Sequence, residues 1–158
     1  MIYSEVKAIV NHGNNFLLVR TQNSGNKWKL IGGILGADDD EIALLEMKSR
    51  EYIGSKISLR GKIDSLIIPD KRRVSVSIEI YSGYISPYAK IRQGTKILDY
   101  SFFQLSQVNS LNLSPTTQQV FSHLFRINYL ALCQTLPERF PDGLSFVLQL
   151  VSDKSNHV

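Results

Sequence analysis

Between Gly32-Gly33 and Gly54 lies the densest group of residues able to do chemistry. Four acids run together, Asp38-Asp39-Asp40-Glu41, and Met47, Lys48, Glu51 and Tyr52 follow. The acids can serve the first turn of a helix, whose dipole favours negative charge, or hold a displaced metal ion. Lys48 and Glu51 stand at the i,i+3 spacing of a helical ion pair, worth about a few tenths of a kcal/mol. From Tyr52 to Lys96, nine Lys or Arg face only three acids, Asp64, Asp70 and Glu79. That imbalance is either a solvated basic surface or a field that draws in a polyanion such as a nucleotide or RNA. No aromatic-interleaved RNA-binding signature accompanies it, which ranks nucleic acid behind a small phosphate-bearing ligand.

A helix and several strands must aim these side chains. A helix that begins at the acids and carries Ile42, Leu44, Leu45 and Met47 ends near Gly54, a natural C-terminal cap. Upstream, Glu5 to Val10 and Phe16 to Arg20 read as strands around the turn His12-Gly13-Asn14-Asn15, with His12 solvated in the turn. Trp28 reads as a core residue. Downstream, 56–68 and 73–85 read as two strands. In the second, Val74, Val76, Ile78 and Ile80 take one face while Ser75, Ser77 and Glu79 take the other. Residues 96–108 form a further strand or strand plus turn. Ser114-Pro115 opens a last helix as N-cap and first helical residue. It runs toward Cys133, with Val120, Phe121, Leu124, Ile127 and Ala131 at helical spacing. The order strand, strand, helix, three strands, helix implies an α+β chain with helices packed on a mixed sheet.

The chain of 158 residues has room for one domain over 1–158 with one core. A hydrophobic fraction of 43% and a charged fraction of 20% are those of an ordinary globular protein. No stretch is apolar enough to span a membrane, and the start lacks an export signal. The single cysteine, Cys133, can form neither an internal disulfide nor a thiolate metal cluster. A reducing, cytoplasmic setting is expected.

The run from Trp28 to Gly54 resembles the Nudix family of nucleoside-diphosphate-linked pyrophosphatases. That family's box is a Gly, five residues, a Glu, seven residues, then Arg-Glu, an aliphatic, any residue, Glu-Glu, any residue and Gly. Trp28-Lys29-Leu30-Ile31-Gly32-Gly33 matches its lead-in, with Ile31 in place of a Pro. Gly33 then puts Asp39 at the first Glu, Met47 at the Arg, Lys48, Glu51 and Tyr52 at the three later Glu positions, and Gly54 at the closing Gly. Outside the box, Phe16 to Arg20 is similar to the family's second strand, and Ser101 to Val108 with Leu113-Ser114-Pro115 to its final strand and helix. The resemblance covers about 3–126 and implies a Nudix-like α/β/α sandwich with a mixed sheet, leaving 127–158 as a C-terminal extension.

What the resemblance implies about chemistry turns on those four helical positions, which span about 140° of one helix face. In the family the carboxylates among them hold Mg2+, which neutralises the pyrophosphate and activates water. Here Glu51 alone keeps its carboxylate, so little or no hydrolysis is expected and no cofactor is implied. Lys48 would then stand in for the metal's charge and meet a ligand phosphate, with Tyr52, Arg20 and Arg72 as further contacts and Arg73 less so. The alternative is a divergent Mg2+-dependent pyrophosphatase that recruits Asp38, Asp39, Asp40 or Glu79 beside Glu51. A third reading keeps only the fold, with the apolar tail from Leu136 to Val151 serving a protein partner or homodimer. Fold alone does not choose among them.

Overall fold

A computed structural model of the chain describes residues 2–69, 75–86 and 88–127. Arg72, Arg73, Val74, Cys133 and the tail from Leu136 to Val151 lie outside these. The elements are strands β1 (Ile2–His12), β2 (Asn15–Thr21), β3 (Trp28–Lys29) and β4 (Ile31–Leu35), helix α1 (Glu41–Ile53), strands β5 (Ser58–Pro69), β6 (Ser75–Tyr84) and β7 (Ile97–Gln104), a short helix α2 (Leu105–Val108) and helix α3 (Pro115–Arg126).

All seven strands join one mixed sheet. Its path runs β3-β2-β1-β6-β5, with β4 added to β1 and β7 to β2. β1 and β6 pair in parallel, and the other pairs are antiparallel. The expected hairpin is present, with Asn11 opposite Phe16 and His12 opposite Asn15. His12 is not a solvated turn residue, however. It ends β1, where its Nδ1 lies 3.4 Å from the Ile85 carbonyl and its ring beside Phe102.

Alternation along each strand sends side chains to two faces, and each face carries its own core. On one side Ile9, Phe16, Leu18, Val76, Ile78 and Ile80 pack against Val120, Phe121 and Leu124 of α3. On the other, Val6, Ala8, Leu17, Val19 and Ile31 pack against Leu45, Tyr52 and Ile53 of α1. The result is the expected α+β architecture, a mixed sheet between helices.

Local chemistry fixes both helices. Asp40 is the N-cap of α1, its carboxylate accepting from the Ile42 N–H, and Gly54 caps the other end in the left-handed conformation at φ 66°. Asp38 and Asp39 therefore precede the helix rather than filling its first turn, which holds Glu41 alone. Asp39 closes the entering loop by accepting the Gly36 N–H at 2.6 Å. Ser114 caps α3 and Pro115 occupies its first turn, as expected. Leu30 N–H donates to Thr117 Oγ1 at 3.1 Å, tying α3 to the chain between β3 and β4.

Candidate functional site

The lead-in to α1 consists of the two strands β3 and β4, and the consecutive glycines of β4 shape the site. A Cβ on Gly32 would lie 2.0 Å from the Val6 carbonyl oxygen and 2.9 Å from Lys7 Cδ. A Cβ on Gly33 would lie 3.2 Å from Lys48 Cε. Successive strand residues point to opposite faces, so this pair of glycines admits one lysine stem from each side. Lys7 comes from β1, paired opposite Gly32, and Lys48 from α1.

Lys29, on β3, completes the group. Its Nζ and that of Lys48 each lie 5.7 Å from the centre of the Tyr52 ring, an arrangement in which a cation meets the ring's negative face. A fourth lysine arrives from the segment before β7. There Arg92 N–H donates to Ile53 O at 2.9 Å and Gly94 N–H to Tyr52 O at 2.8 Å, docking the segment on the last carbonyls of α1. Gly94 is required, because a Cβ there would lie 1.7 Å from the Glu51 carbonyl oxygen. Docked in this way, the segment carries Thr95 and Lys96 to the rim.

The open hollow between them measures about 470 Å³ and is lined by Thr21, Gln22, Asn23, Lys29, Lys48, Tyr52, Thr95 and Lys96. Glu51 stands beside it, 3.5 Å from Lys48 through Oε2 and 3.4 Å from Lys96 through Oε1. The expected Lys48–Glu51 ion pair is therefore present, shared with a lysine that spacing could not foresee. Burial pulls the Lys29 ammonium below its ordinary value of 10.5, with Lys7 and Lys48 pushing the same way and Glu5 opposing. Burial likewise lowers Lys7, against the pull of Glu5 at 3.8 Å. It raises the Tyr52 phenol, with the Glu51 charge adding to the rise. The hollow is short of negative charge, and an entering anion would relieve that.

The other expected site residues lie elsewhere. Arg20 follows Phe16 and Leu18 by strand parity and is turned to the α3 side. There it stacks 4.6 Å from the Trp28 ring centre and pairs with Asp99 at 3.0 Å, away from Lys48 and Tyr52. Trp28 itself packs edge-on against Phe103. Asp39 lines a separate hollow with Tyr3, Ser4, Leu35 and Glu41, so the fold does not bring it to Glu51. Glu79 is taken up by Lys62 at 2.5 Å and by Ser65, and Lys62 also reaches Glu41 at 3.6 Å. Met47 is 46% exposed and touches none of this chemistry. Arg72 falls outside the described residues. Lys7, Lys29 and Lys96 were missed as site residues. For Lys7 the signal was a lysine inside the otherwise apolar run Val6 to Val10.

These residues do not suit a divalent cation. Mg2+ takes six oxygens in near-octahedral geometry, from one or two carboxylates together with waters and substrate phosphates. The motif's helical positions offer Glu51 alone, and both its oxygens face ammoniums. Among the described residues no three His, Cys, Asp or Glu side chains gather closely enough to hold a metal ion. What the arrangement can do is receive an anion with compact, multidirectional ammonium donors.

No family model matches the chain, and no curated protein sequence does. Solved structures do match in fold. A putative Nudix hydrolase family member from Chromobacterium violaceum superposes with a TM-score of 0.65 at 13% identity, covering 100% of this chain and 98% of that one. A MutT protein from Methanosarcina mazei Go1 gives 0.61 at 21% identity, over 80% of this chain and 95% of that one. A bifunctional NMN adenylyltransferase/ADP ribose pyrophosphatase from Francisella tularensis, complexed with AMP and a Mn ion, gives 0.60 at 17% identity, over 80% of this chain and 42% of that one. No helix among the described residues is long and apolar enough to cross a membrane. The sheet, the helix held between Gly33 and Gly54, and these superpositions agree: the chain has the fold of the Nudix hydrolases.

Proposed function

We propose that this chain belongs to the Nudix family, has little or no hydrolytic activity, and binds a nucleotide-type phosphate ligand without a metal. One observation carries the reading: the hollow beside α1 is lined by the ammoniums of Lys29, Lys48 and Lys96 where the family's chemistry needs carboxylates. Lys48 and Tyr52 occupy two of the box's three helical acid positions, and the acid at the third, Glu51, is engaged by two lysines. An ammonium donates to phosphate oxygens from several directions and needs no dication between them. A hollow of about 470 Å³ is within the range of small-ligand sites. The fold neighbour complexed with AMP supports a nucleotide as the ligand class.

The test is calorimetric titration of inorganic pyrophosphate and ADP into the protein in excess EDTA, repeated with Lys48→Ala. Losing one charged hydrogen bond costs about 1.5–3 kcal/mol, so affinity should fall roughly tenfold or more. Folding stability should change by less than about 0.5 kcal/mol, the value of the Lys48–Glu51 pair. Failure of every phosphate ligand to bind in EDTA, or equal binding by the variant, would sink the reading. Failure of every ligand would also favour a module that keeps only the fold and meets a protein partner.

A further inference from the structure

The geometry points to Lys29 as an amine that condenses with a small phosphorylated aldehyde held in the lysine-lined hollow. This rests on the anion-binding reading above and adds a covalent chemistry to the same site. Three features separate Lys29 from its neighbours. First, it springs from a fixed base: its backbone pairs with Val19, and the adjacent Trp28 is wedged between Phe103 and the Arg20 guanidinium. Second, Lys48 and Lys96 are each engaged by Glu51 and Lys7 by Glu5, whereas Lys29 forms no ion pair among the described residues. Third, Lys29 lines the hollow, whereas Lys7, also lowered by burial, does not line it and is only 6% exposed.

The charged and titratable groups facing Lys29 are Lys7 and Glu5 from β1, Lys48 and Tyr52 from α1, and Lys96 across the hollow. Burial and two neighbouring ammoniums favour its neutral form, the condition under which a lysine becomes a nucleophile. Lys48 and Lys96, each paired with Glu51, would hold the phosphate. The Lys29 nitrogen lone pair adds to the aldehyde carbon, and the carbonyl oxygen takes a proton from a neighbouring ammonium to give a carbinolamine. One of the two protons on the nitrogen returns to that neighbouring amine, and the other goes to the hydroxyl, which leaves as water as the carbon–nitrogen double bond forms. Amine and aldehyde become imine and water, with no oxidant or reductant involved.

The probe is pyridoxal 5′-phosphate, with pyridoxal as the phosphate-free control. Each is added to the full chain at limiting concentration, fixed with borohydride, and located by peptide mass mapping. Lys29 should carry most of the label, ahead of every other lysine, since its lowered pKa frees more of the amine. Pyrophosphate should protect it, and pyridoxal should label it far more slowly. Lys29→Arg, which keeps a cation but cannot form an imine, should lose that adduct, with circular dichroism confirming its fold. Label scattered over exposed lysines, or equal labelling of Lys29 by pyridoxal, overturns the inference. Pyrophosphate titration of the unlabelled wild type separates the two failures. Binding without Lys29 labelling refutes the covalent chemistry alone, and no binding refutes the anion site beneath it.

Discussion

Replacing Gly94 with alanine should loosen the site from a distance that can be worked out. The added Cβ would sit 1.7 Å from the Glu51 carbonyl oxygen, 2.8 Å from its carbon and 3.0 Å from the Tyr52 oxygen. All three are helix backbone, so the segment, rather than the helix, must retreat. Retreat stretches the Gly94-to-Tyr52 and Arg92-to-Ile53 hydrogen bonds, now 2.8 and 2.9 Å, and leaves those end-of-helix carbonyls unpaired. At about 1 kcal/mol per bond, the loss is about 2 kcal/mol, within the roughly 1–3 kcal/mol typical of overpacking. For a chain of this size that lowers the melting temperature by roughly 4–8 °C. Thermal and urea unfolding followed by circular dichroism measure it. Because the same segment carries Lys96, pyrophosphate affinity in EDTA should fall as well. A variant that melts within about 1 °C of wild type would show that the segment does not brace α1, and the docking argument would fail.

Two further outcomes follow from the titratable groups. The Tyr81 hydroxyl donates to a Glu41 carboxylate oxygen, and burial together with that bond lifts its pKa above the ordinary 10.0. Tyr81→Phe should therefore cost about 1–2 kcal/mol. A raised folded-state pKa means that this contribution is complete below pH 10.0 and is lost as pH climbs above it. Urea melts of both proteins at about pH 8 and about pH 11 should show the gap closing at the higher value; a constant gap would contradict the assignment. Binding should also take up protons. Lys29 sits below 10.5 in the free protein, and a bound phosphate raises it again, so uptake is largest at pH values between the free and bound pKa and vanishes well below and well above them. Calorimetry with fully ionised ADP in buffers of different ionisation enthalpy reads this directly, and net proton release would count against it.

The helix frame was legible because caps are local chemistry. Asp40 and Gly54 bracket α1, and Ser114-Pro115 opens α3, without help from distant residues. The β6 alternation was equally plain, with Val76, Ile78 and Ile80 on one face as read. Strands β3 and β4 were not visible, since runs of two and five residues, the second holding Gly32-Gly33, leave no room for a period to show. Arg20 illustrates the main limit on the site. Its place at the end of a strand was readable, but which face it takes depends on parity relative to a sheet whose two sides are both apolar. The same parity sends Lys29 to the hollow and Trp28 away from it. Lys96 needed the Gly94 contact with α1, a tertiary event more than forty residues from Glu51 that no local pattern encodes.

The central claim is that ammoniums have displaced the metal chemistry of this fold, and turnover tests it most directly. Hydrolysis of a panel of nucleoside diphosphate derivatives should be followed with Mg2+ and with Mn2+, for wild type and Glu51→Gln in parallel. The account predicts no metal-dependent turnover that distinguishes the two proteins. Robust turnover in wild type that is lost in Glu51→Gln would contradict it and establish a divergent but working pyrophosphatase.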